Sequence, residues 1–123
     1  MIRVTGHAAV FDRVDRAGDV IRRGAFAGAG AVPLLFQHRG RAVGTIEAIG
    51  EDARGLRIAA TVADAQVARL VARGALPGLS VGYRARVVKQ GARREILRAD
   101  LIEVSLVAVP MQAAARVEAI EQI

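Results

Sequence analysis

Few side chains in this sequence can serve as a nucleophile or a base. There is no Cys, and there are two Ser (Ser80, Ser105) and two His (His7, His38). Without Cys there is no thiolate nucleophile, no disulfide and no thiolate metal site, and two His fall short of a structural zinc set. What remains is hydroxyl and imidazole chemistry. A Ser hydroxyl is a weak nucleophile until a base takes its proton, and an imidazole does this best when a carboxylate orients it.

Ser80 lies in Gly78-Leu79-Ser80-Val81-Gly82-Tyr83, where Gly on both sides leaves room for a substrate backbone. A strand follows it, so this is not the nucleophile elbow of the α/β hydrolases, which leads into a helix. Ser105 sits mid-strand in Val104-Ser105-Leu106-Val107, where a small hydroxyl fills space. His38 ends a short apolar run just before a polar turn, with one ring edge free to face a cleft. His7 lies on a strand and reads as structural unless it approaches Ser80. Glu103 is the one acid in the apolar stretch 101–109, and a carboxylate there is costly to bury without a partner. It can face solvent, pair with Arg84 or Arg86 across a hairpin, or orient His38.

The elements that must position these groups are mostly strands. Residues 2–11, 34–36, 42–49, 56–63, 79–88 and 94–109 carry β-forming runs or alternating apolar residues. Asp64 is a good N-cap for a helix over about 65–73, and Gly74 closes it. Residues 12–23 read as a loop, residues 24–27 as a helical turn, residues 39–41 as a turn, and residues 111–121 as a short closing helix. A turn at Gly91 makes its flanking strands a hairpin. Ser80 then faces position 102, within one or two residues, which brings Glu103 alongside it. The fold class expected is mainly β: a small, mostly antiparallel β-barrel with two or three short helices.

Length and composition set the bounds. A chain of 123 residues is one domain by its length. Apolar residues make up 53% but aromatics only 3%, so the core is aliphatic. No apolar run approaches the ~20 residues of a membrane span, and the first residues lack a signal peptide's apolar stretch, so the expectation is a protein kept inside the cell. The net charge of +6 comes from dispersed Arg, with no basic tail. A basic β-barrel that binds nucleic acid is a rival reading, but such binders usually present stacking aromatics, which are scarce here.

Taken in order, several segments resemble the prohead proteases of tailed bacteriophages. Gly6-His7-Ala8-Ala9-Val10-Phe11-Asp12 is similar to the family's opening strand, with His7 where Tyr is more usual. Gly18-Asp19-Val20-Ile21 and Gly24-Ala25-Phe26 resemble the early loop. Pro33-Leu34-Leu35-Phe36-Gln37-His38 resembles the segment with the catalytic His, and Gly74 to Tyr83 the segment with the nucleophilic Ser. Leu101 to Val107, followed by Pro110, resembles the closing strand.

The resemblance implies a fold similar to the herpesvirus maturation protease, a β-barrel with a Ser-His-His set. It implies a serine endopeptidase with Ser80 as nucleophile, His38 as base and Glu103 as third member, 23 residues after the Ser. No metal and no cofactor is implied. Implied partners are the major capsid protein or a scaffold segment as substrate, with self-association inside the immature capsid in the host cytoplasm. The source implied is a phage, a prophage or a gene transfer agent. A member with this fold but no activity, serving as an assembly factor, is the alternative.

Overall fold

The computed structural model describes all 123 residues. In chain order the strands are β1 (Ile2–Val10), β2 (Asp19–Ile21), β3 (Leu34–Phe36), β4 (Arg39–Glu51) and β5 (Gly55–Val62). Helix α1 (Ala65–Ala72) follows, then β6 (Gly78–Gln90), β7 (Arg94–Val107) and β8 (Val117–Gln122). The fold is mainly β, as expected, and most of the pairings are antiparallel.

β7 is the spine of the sheet. β6 pairs with it antiparallel from one end to the other. Its opposite edge takes two short parallel strands, β2 against Arg94–Ile96 and β3 against Val104–Leu106. From β3 the sheet continues through β4, β5 and β1 to β8. Residues 103–107 are buried on both faces of β7, which is why their apolar run is nearly continuous rather than alternating. The core behind it is aliphatic, built on Val4, Leu34, Leu56, Ile58, Leu79 and Leu106, with Phe26 edge-on to Tyr83.

The sheet stays open. A single bridge, Gly78 to Arg116, links the start of β6 with the segment leading to β8, and the rest of β6's outer edge is unpaired. The barrel expected from the sequence is therefore an incompletely closed sheet. A closing helix over 111–121 is also corrected: residues 117–122 form β8. Local helix preference is worth tenths of a kcal/mol per residue, whereas β1 offers a whole row of unpaired backbone groups. The chain has one helix. Asp64 caps it, accepting from the backbone N–H groups of Gln66 and Val67, and Val67 and Val71 bury its inner face. Within the expected loop 12–23, β2 forms because it completes the edge of β7. The turn expected at 39–41 lies two residues earlier, at Gln37-His38, and residues 39–41 already belong to β4.

His7 fastens β1 to β8 and to the β4–β5 turn. Its Nδ1 lies 2.5 Å from Glu118 Oε2 on β8, and its Nε2 lies 2.8 Å from Asp52 Oδ2 in the β4–β5 turn. Only a doubly protonated ring can donate to both carboxylates. Burial opposes ionisation of Asp52, but bonds from His7 and from the N–H groups of Arg54 and Gly55 outweigh it and hold the carboxyl down to about 2. A depressed carboxyl adds stability above its unfolded value near ~4, and that stability disappears as pH falls toward about 2. Asp52→Asn should therefore lower the Tm at pH 6 by about 3 °C, since a half-exposed ion pair contributes at most ~1 kcal/mol. The gap to wild type should close between pH 4 and pH 2. Thermal melts by circular dichroism at pH 6, 4 and 2 check this.

Candidate active site

The site is assembled on one face of the β6–β7 hairpin. Ser80 is opposite Ser105, and Gly82 is opposite Glu103. Because alternate residues share a face, Ser80 and Gly82 stand beside Ser105 and Glu103. The expected register was three residues off, since position 102 was to face Ser80. The turn is centred on Ala92 rather than Gly91, and bulges between Gly82 and Val88 add the remaining offset. Glu103 still arrives on the Ser80 face, one pair further along.

His38 comes from β3, across β7. It follows β3 in a tight turn in which Gln37 and His38 both have positive φ, 53° and 62°. Neither residue is Gly, so this backbone is strained by of order 1–3 kcal/mol each. β7 holds the turn in place. Gln37 N–H donates to Leu106 O at 3.0 Å, Gln37 Oε1 accepts from Ala108 N–H at 3.0 Å, and His38 N–H donates to Ser105 Oγ at 3.0 Å.

So placed, the His38 ring meets Glu103, with Nδ1 2.6 Å from Oε2. The other oxygen, Oε1, accepts from Ser105 Oγ–H at 2.7 Å. Glu103 is 8% exposed, and both its oxygens are therefore used. A carboxylate only accepts, so Nδ1 carries the proton and Nε2 of the neutral ring keeps its lone pair. Nε2 makes no hydrogen bond within the protein. The ring is partly exposed in a cleft of about 680 Å³ with Phe36, Val109 and Met111. Ser80 is 4% exposed, yet its hydroxyl has no hydrogen-bond partner in the protein. It is not bonded to His38 in this state, and such contacts often tighten only when substrate is bound.

Of the residues singled out from sequence, His38 and Glu103 are brought into contact, while Ser80 shares the Glu103 face of the hairpin without bonding to either. Arg84 and Arg86 do not take Glu103, since Arg86 pairs with Asp100 instead. His7 belongs to the Asp52–Glu118 cluster. Ser105 and Gly82 have other roles in the structure than those read from the sequence. Ser105 does more than fill space, because its hydroxyl joins the His38 backbone to Glu103. Its signal was the i, i+2 spacing from Glu103 on a strand. Gly82 is needed for space: a Cβ there would lie 2.3 Å from Glu103 Oε2.

The caudovirus prohead serine protease family matches residues 1–123, the whole chain. The chain belongs to that family. Its fold is similar to solved herpesvirus proteases. One is the Kaposi's sarcoma herpesvirus protease in complex with a hexapeptide phosphonate inhibitor, at 12% identity and a TM-score of 0.68, with 99% of this chain and 65% of that chain covered. Another is the same virus's protease in complex with an allosteric inhibitor, at 15% identity and a TM-score of 0.64, with 100% of this chain and 78% of that chain covered. The chain therefore spans somewhat under two thirds of the first of these proteases. No curated protein sequence matches it.

Two substitutions probe the site's geometry. Ser105→Ala leaves His38 N–H and Glu103 Oε1 without their shared partner, and should cost about 1–3 kcal/mol in urea unfolding while the fold persists. Gly82→Ala should push the Glu103 carboxylate aside. The NMR resonance of the His38 Nδ1 proton, held downfield by Glu103 in the wild type, should then be lost while the amide spectrum away from the hairpin stays in place.

Proposed function

We propose that this family member is a serine endopeptidase that acts inside the prohead, on the major capsid protein or a scaffold segment. The observation that carries the reading is the His38–Glu103 pair at 2.6 Å, mounted on the sheet face from which Ser80 projects. Family membership supports the substrate and the place, an immature capsid in the host cytoplasm. Confinement there, with self-association, would raise the local concentration of enzyme and substrate.

In this reading the reaction runs through an acyl-enzyme. Ser80 Oγ attacks the scissile carbonyl carbon as its proton passes to His38 Nε2, and the carbonyl π pair moves onto oxygen. That oxyanion calls for fixed N–H donors beside Ser80. Collapse of the tetrahedral intermediate breaks the C–N bond, and the imidazolium returns the proton to the leaving amine. Water, deprotonated by the same imidazole, then releases the acid and restores Ser80. Glu103 fixes the tautomer that leaves Nε2 free and stabilises the imidazolium. No step calls for a metal ion or an organic cofactor.

Coexpression with the capsid protein of the same genome tests the reading. The wild-type chain should shorten the capsid protein, and Ser80→Ala should slow this by at least ~10³-fold. Unchanged processing by Ser80→Ala would overturn the assignment and leave an assembly role for the fold.

A further inference from the structure

Beside Ser80 a second, smaller recess opens, of about 100 Å³, enough for one side chain. Ser80 lines it, along with Asp15, Asp19 and Tyr83. Its apolar wall includes Ile21, Val81 and Met111. Ser80 is 4% exposed with a hydroxyl that bonds to nothing in the protein, so a group entering this recess meets that hydroxyl.

The charge in the recess is unbalanced. The chain has 18 cations against 12 acids, and its acids generally find a partner. Glu95 and Asp12 take Arg22, Asp100 takes Arg86, and Glu47 takes Arg3. Glu51 and Asp64 bind backbone N–H groups. Asp19 alone has a carboxylate with neither an ion pair nor a hydrogen bond. Asp15 uses one oxygen, Oδ1, to accept from the N–H groups of Ala17 and Asp19, which leaves Oδ2 open. The fields of both carboxylates reach Tyr83: burial first, then Asp19 and Asp15, push its hydroxyl above the usual phenol range, against the opposing Arg94. Arg94 lies opposite Asp19 in the register, but is within 4.0 Å of neither carboxylate.

An apolar wall leading to unpaired carboxylates fits a long aliphatic stem that ends in a cation. We propose that this recess binds the side chain of a lysine or arginine immediately flanking the scissile bond. The inference rests on Ser80 being the nucleophile. It makes Asp19, with Asp15 behind it, the determinant of substrate choice. An ammonium or guanidinium supplies the counter-charge that the protein withholds, and the stem covers Ile21 and Met111.

The test uses the full chain and a set of peptides identical except for Lys, Arg, Ala, Leu or Glu at each position flanking the cleaved bond. Wild type should cleave the Lys or Arg peptides about 10–100-fold better in kcat/KM than the Ala peptide, with cleavage beside that residue. Asp19→Asn breaks no bond in the protein and should fold normally, and it should bring the ratio to within about threefold. Asp15→Asn should do the same unless its loop loosens, so Asp19→Asn is the deciding variant. Cleavage of all the peptides at similar rates, or an unchanged ratio in Asp19→Asn, would overturn the pocket assignment and leave the protease reading standing. Failure to cleave any peptide, with failure to process the capsid protein, would overturn both.

Discussion

The site depends on keeping one carboxylate, Glu103, in a strand that is otherwise apolar and buried. A charge in that setting is tolerated only if its oxygens are bonded. His38 Nδ1 takes one oxygen and Ser105 Oγ takes the other. Each partner depends on further structure. His38 reaches Glu103 only because its backbone is held in the left-handed region, and Ser105 helps to hold it there through the His38 N–H. Gly82 supplies the empty volume that the carboxylate occupies. Ser105, Glu103, His38 and Gly82 thus form one unit, and the strain in the turn is offset by the bonds that β7 makes to it.

The same unit explains why β7 has so many neighbours. The candidate nucleophile and carboxylate share one hairpin and the candidate base follows a distant strand, so β7 must be reached from both edges. β6 brings Ser80 to one edge, and β3 brings His38 to the other. The open sheet suits this arrangement. Strand β6 keeps most of its outer edge unpaired, and the recess beside Ser80 lies between it and the loop leading to β2. The surplus of positive charge sharpens the contrast: in a chain of net charge +6, two carboxylates without cationic partners stand next to the candidate nucleophile.

Much of this was legible in the sequence, for identifiable reasons. The β6–β7 hairpin carried strong strand patterns on either side of a Gly-containing turn. Helix α1 had an N-cap at Asp64 and a closing Gly74. Scarcity narrowed the candidate nucleophile and base, since Ser80 and His38 each had only one competitor. What was hidden was non-local. Residues 111–121 read as a short closing helix, and only the open edge of β1 makes residues 117–122 a strand. Bulges between Gly82 and Val88 set the register, and no local pattern announces a bulge. Ser105 looked like a space-filler because its value lies in two partners, one of them 67 residues away.

In the proposed reaction Ser80 is the nucleophile and the Glu103–His38 pair activates it. Site mapping of a fluorophosphonate adduct by peptide mass spectrometry checks this, because the reagent reacts far faster with an activated hydroxyl than with an ordinary one. One adduct per chain is expected, on the peptide containing Ser80, formed in the wild type and lost in His38→Ala. An adduct on Ser105, or labelling of Ser80 that persists at the same rate without His38, would contradict it.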